Sequence, residues 1–328
     1  MLNLHTMKSK ILLVITLFSG LFACKNDIDI NAPYKDIPIV YGFLDQNQSV
    51  QYIRIEKLYQ NSGNQSTAEG AKISDSLYFD SLVVKLINIV NKDTFLCTRV
   101  DSIPKDSGFF SNARNTLYAC KIPKNNNANE VYELNIYYPK KNISFTASTP
   151  IVKDAIIYAR TTVFNLDPKI RHTFQFRFKT GRNSALYDLK IQYVYKEMNV
   201  SDTSIFEFKT IEYDLAKNKD YFPERDYPEN ILSRTFVDYI KARIPADASK
   251  IRKSVHLVFS AYGGAPEFRT MLDLSKPNLS IVQKNPQYSN ISNGGLGIFS
   301  SRNFTSRVQE FDAATISLLS KELPNFIN

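Results

Sequence analysis

The chain has 328 residues, 43% of them hydrophobic and 22% charged, the balance of a folded protein, which excludes disorder. Its 41 Lys and Arg outweigh 32 Asp and Glu, giving a formal net charge of +9. Basic residues such as Arg171, Arg177, Lys179, Arg182 and Lys190 stand singly among aromatics on strand-like segments, which argues against a nucleic-acid groove and leaves an anionic polysaccharide or a lipid surface as possible partners.

The first element in chain order is an export signal. Lys8 and Lys10 precede an apolar run from Ile11 to Phe22, and Leu21-Phe22-Ala23-Cys24 has the form of a lipoprotein cleavage and acylation site. The run is too short for the roughly 20 apolar residues that span a bilayer. Residues 1–23 are therefore expected to be removed and Cys24 to carry lipid, anchoring the chain to a membrane. The alternative is an ordinary secretory signal with an incidental cysteine. Residues 24–36 read as the lipidated tether, in which Asp27 and Asp29 suit either an outer-membrane sorting signal or a plain solvated linker.

The remaining length suits two domains. Segments 37–44, 50–59, 80–90, 93–100, 115–122, 130–138 and 143–149 are rich in Val, Ile, Tyr, Phe and Thr and are bounded by turn residues, the spacing of an immunoglobulin-like β-sandwich over 37–150. Ile143, Phe145 and Ala147 alternate with polar neighbours before Pro150 breaks the ladder, which sets the boundary there. If 93–100 and 115–122 pair as a hairpin, Cys97 lies opposite Cys120, and an oxidising envelope would permit a disulfide; two free buried thiols are the alternative.

Residues 151–328 predict a mixed β domain with helices near 229–243 and 312–322, giving a chain that is mainly β with a few helices. His172 to Lys179 alternates cleanly, and Leu189, Ile191, Tyr193 and Tyr195 continue the pattern in the next strand. Pro228 in the first turn, with Leu232, Phe236, Ile240 and Ile244 at helical spacing, predicts the first helix. Asp312 caps the second, and Pro324 ends it. Between them, Asn293, Gly294, Gly295 and Gly297 form a glycine-rich turn into a strand, with a binding loop as the functional alternative.

Catalytic signatures are missing. His172 and His256 lie in strand-like runs outside any zinc-binding spacing, and there is no nucleophile elbow, phosphate loop or Cys-x-x-Cys pair. The Asp27 to Asn31 run lacks the Gly and Glu of a calcium loop. No metal or cofactor is expected, and the chain is read as non-catalytic. Asp and Glu are frequent enough for a glycosidase-like pair, so an envelope hydrolase is one alternative and a structural or adhesive surface protein another.

Tyr34 to Asp45, Tyr52-Ile53-Arg54-Ile55 and Tyr288 to Phe299 together resemble an uncharacterised family of Bacteroidetes outer-membrane lipoproteins. That resemblance covers nearly the whole mature chain. It implies a lipid-anchored outer-membrane protein, periplasmic or surface-facing, of a family often encoded beside TonB-dependent receptors and with no established activity, and it transfers no catalytic residue; the chain is accordingly expected to be a binding or accessory module, with a TonB-dependent receptor as its candidate partner.

Overall fold

The computed structural model describes residues 36–58, 77–104, 115–123, 130–158, 163–164, 166, 172–275 and 288–328. The lipobox, Cys24 and nearly all of the tether lie outside them. The described chain is mainly β with three helices, as its hydrophobic alternation predicts.

The first seven strands are β1 (Pro38–Asp45), β2 (Val50–Lys57), β3 (Val83–Asn88), β4 (Thr94–Val100), β5 (Leu117–Lys121), β6 (Val131–Tyr138) and β7 (Ile143–Pro150). One layer has the order β1-β2-β5-β4 and the other β3-β6-β7, with β4 pairing to both β5 and β3. This is the strand order of an immunoglobulin-like sandwich. Alternate residues of both layers, among them Val40, Ile53, Leu86, Leu134, Ile136 and Phe145, make its core.

A second core is built from β8 (Ile156–Tyr158), β10 (Thr173–Lys179), β11 (Leu186–Asn199), β12 (Asp202–Asp220), β13 (Asp226–Leu232), β14 (Lys250–Gly264) and β15 (Leu296–Phe311), with the short β9 (Val163–Phe164) beside β15. Strands β12-β11-β14-β15 form one sheet and β13-β10-β8 a smaller one. Helices α1 (Ser233–Lys241) and α3 (Ala313–Glu322) add Phe236, Val237, Ile240 and Leu319 to the aromatic filling from Phe174, Phe176, Phe178, Tyr193 and Phe259. Helix α2 (Pro266–Leu274) instead lies over β15 and β1, where Phe268 meets Phe43 edge to face at 5.3 Å.

β15 joins the two halves. Its first half pairs in parallel with β1, from Ile39 opposite Leu296 to Asp45 opposite Arg302. Its second half pairs antiparallel with β14, from Gly264 opposite Arg302 to His256 opposite Glu310. Phe299 accordingly packs in the first core and Phe311 in the second.

The expected helix at 229–243 begins later than its sequence pattern suggests. Residues 226–232 are a strand paired along its length with β10, and the helix starts at Ser233. Pro228 fits that strand because β13 is at a sheet edge, where its missing N–H leaves no inward hydrogen bond unmade. Leu232 is exposed, whereas Phe236, Val237 and Ile240 face the core. The last helix runs from Ala313 to Glu322, and the Asp312 side chain accepts the Thr315 N–H at 2.7 Å.

Candidate functional site

Cys97 and Cys120 are directly opposite on β4 and β5 and are joined by a disulfide, with their α-carbons 4.2 Å apart. Both are buried in the first core, so the bond staples the sandwich and presents no reactive sulfur.

The glycine-rich turn is stitched to the rest of the fold by its own polar groups. The Ser292 N–H donates to the Thr146 carbonyl at 2.8 Å, and the Thr146 N–H donates to Ser292 Oγ at 2.7 Å. Asn293 Nδ2 donates to the Ser144 carbonyl at 2.6 Å. Asn290 closes a two-way clasp with the Phe299 backbone, and Ser289 Oγ donates to the Gly295 carbonyl. The side chains that would have faced a ligand are thus largely engaged along β7 and within the turn. Gly294 has a φ of +75° and stands in open space, while Gly297 has a φ of +99° and lies against β1.

Among the described residues, a cleft lies elsewhere, at the end of the second sheet. It encloses about 660 Å³ between three segments: Arg182 to Ala185 before β11, Asp220 to Glu224 from the end of β12 onward, and Pro266 at the start of α2. That volume is in the range of small-molecule sites. Its lining is mostly apolar. Tight local bonds set the walls: the Ala185 N–H donates to the Gly264 carbonyl, the Tyr221 N–H donates to the Ala185 carbonyl, and Thr180 Oγ1 donates to the Phe222 carbonyl. With its carbonyl fixed in this way, Phe222 still leaves 74% of its surface to solvent. A large aromatic held out of the core beside a cleft is a ready stacking surface.

Charges ring the cleft in pairs. Arg182 meets Glu224 at 3.1 Å, and Arg269 meets Asp220 at 2.6 Å while also reaching Asp273 at 3.1 Å. Tyr221 forms part of the buried floor and donates to Glu229 at 2.7 Å; burial, then that carboxylate, raise its phenol well above the usual range. Neither Asp220 nor Glu224 has the unpaired, desolvated setting of a general acid.

Glu267 is the carboxyl that burial does raise. It lies on the first turn of α2, next to Pro266 of the cleft wall, but its Oε2 faces the other way and accepts from Thr149 Oγ1 at 3.2 Å and Ser300 Oγ at 3.5 Å. Among the described residues, no group of three or more His, Cys, Asp or Glu is placed to hold a metal ion.

No family model matches the chain, and no curated protein matches it in sequence. The site is therefore read from its own geometry. None of its lining residues was singled out from the sequence as a ligand contact. The signal available was slight: Asp220-Tyr221-Phe222-Pro223-Glu224 reads as a turn, and only its doubled aromatic is unusual for one.

Proposed function

We propose that this protein is a lipid-anchored envelope protein that binds a small ligand without covalent chemistry, as an accessory to an outer-membrane uptake receptor of the TonB-dependent class. The anchor is supported by the Ala23-Cys24 lipobox, and the receptor by the resemblance of the Tyr34 to Asp45 and Tyr288 to Phe299 segments to outer-membrane lipoproteins. One observation carries the binding role: the apolar cleft holds Phe222 outward for stacking, while both of its carboxylates are neutralised by arginines. Such a wall favours a molecule with one flat apolar face and a polar edge, as a sugar ring has.

Two measurements test this. Cys24→Ser should release the chain into the aqueous phase of a detergent extraction, and unchanged partitioning would remove the anchor from the account. Native mass spectrometry of protein purified from gently solubilised envelopes should show a bound mass on the wild type that is lost from Phe222→Ala. Equal retention by both proteins, or turnover of an envelope glycan that Asp220→Asn abolishes, would overturn the non-catalytic reading.

A further inference from the structure

The β11–β12 hairpin ends in a cluster of large apolar side chains that stay open to solvent. Val200 at the turn is 52% exposed, Ile205 68%, Phe206 45% and Phe208 58%. Among the described residues, strand β12 is also the outer edge of the sheet, and most of its 19 residues are exposed. Neighbouring exposed apolar groups of this size mark contact surfaces rather than ordinary solvated strands.

Register defines what surrounds them. On one sheet face, Phe206 lies opposite Met198, which lies opposite Ile251; in the next row Phe208 lies opposite Lys196, which lies opposite Lys253. These two rows contain no carboxylate. Lys196 sits over both rings, 4.4 Å from the Phe206 centroid and 5.6 Å from that of Phe208, and the two rings meet edge to face at 5.5 Å. The rings account for Lys196, but two lysines directly opposite one another across a strand pair repel. An anionic partner relieves that repulsion.

We infer that this end of the sheet docks on a bilayer containing anionic phospholipids, with Lys196 and Lys253 at the phosphates and the apolar tip among the headgroups. Charge complementarity selects the partner's sign. The distribution of apolar groups selects its kind: Phe206 and Phe208 project from one face, Ile205 from the other and Val200 from the turn. A protein docked on one face would leave Ile205 in water, whereas a membrane interface surrounds a shallowly inserted tip on all sides. Depth is limited by the unpaired backbone edge of β12 and by Asp202, whose carboxylate is held ionised by the Ser204 hydroxyl and N–H. Glu207 and Glu197, the other acidic residues of the hairpin tip, are engaged by Lys209 and Arg252.

This contact is distinct from the N-terminal anchor. β1 begins beside Leu296, at the far end of β15 from the level of His256 and the hairpin tip, so tethering the N-terminus does not by itself bring Phe206 to lipid.

The chain contains no Trp, so Phe206→Trp in the full lipoprotein provides a sole reporter. Reconstituted into vesicles with phosphatidylglycerol, its emission should shift to the blue and be quenched by lipid brominated near the headgroup. In pure phosphatidylcholine vesicles it should do neither. Lys196→Gln and Lys253→Gln should each weaken the response about fivefold, and added salt should weaken it further. Phe304→Trp, on the same sheet away from the tip, should stay unquenched. Flotation of the same samples reports the anchor separately. Equal Phe206→Trp emission in the two vesicle types, or a shift that appears only when envelope proteins are added, would overturn the inference.

Discussion

Gly297 lies so close to Val40 that a β-carbon added to it would stand 2.1 Å from the Val40 carbonyl oxygen and 2.9 Å from the Val40 carbonyl carbon and nitrogen. The two residues are register partners where β15 pairs in parallel with β1, so the obstruction is backbone and cannot rotate away. With a φ of +99°, the residue also occupies a region that side chains rarely adopt. Gly297→Ala should therefore separate the strands and leave little folded protein. Gly294→Ala meets no neighbour and carries only the left-handed penalty, about 1 kcal/mol. Urea unfolding of the pair checks the contrast; similar losses at both sites would refute it.

Arg252, almost wholly buried, donates to Glu197 at 2.8 Å and to the carbonyls of Pro245 and Pro324 at 3.0 and 3.1 Å. Its backbone also exchanges hydrogen bonds with Asn325 and Ile327, so one residue fastens the C-terminal segment to β14. Arg252→Ala strands the carboxylate and both carbonyls and should cost about 3 kcal/mol. Faster hydrogen exchange at Ile327 should accompany that loss in the variant. A loss below 1 kcal/mol would show that the latch is slack.

Burial raises the Glu267 carboxyl above its ordinary 4.5, against the pull of its own N–H, Thr149 and Ser300. The folded state therefore holds the proton more tightly than the unfolded chain. Its contribution is fully present below pH 4.5 and is lost as pH rises through the higher folded value. Glu267→Gln keeps an acceptor for Thr149 and Ser300 without the charge. Its stability relative to wild type should increase as pH is raised from 4.5 toward neutrality; a constant difference across that range would disprove the assignment.

Cys97 and Cys120 are 23 residues apart, and a loop of that size restrains the unfolded chain by about 3 kcal/mol. The double Cys→Ala variant should lose that much in denaturant melts. Thiol titration of denatured, unreduced protein should find Cys97 and Cys120 unreactive.

Much of this fold was legible in residue order. The alternation through Phe145, Ala147 and Thr149, or through Phe174, Phe176 and Phe178, states which side of a strand is dry. Strand β12 was not legible because its partner is β11 alone and most of its side chains face water, so no hydrophobic rhythm is imposed on Asp202 to Asp220. Pro228 misled because a proline is equally at home in a first helical turn and on an edge strand. The turn at Gly294 to Gly297 was readable as a turn, but the Val40 backbone that requires Gly297 is remote in sequence. The cleft is harder still to read, since Arg182, Phe222 and Pro266 come from three separated connections and no local spacing relates them.

The shared strand β15 also governs the order in which the protein can be completed. The sandwich formed by β1 to β7 takes Ile291 and Phe299 into its core, and β1 has its second neighbour only when Leu296 to Arg302 arrive. The N-terminal half leaves the ribosome first yet must wait for the last fifth of the chain before its edge is closed and its core filled. A fragment ending at Pro150 should accordingly exchange its β1 amides rapidly. On the exported role proposed above, a lock carried near the C-terminus would keep the leading half pliable until the trailing half has followed.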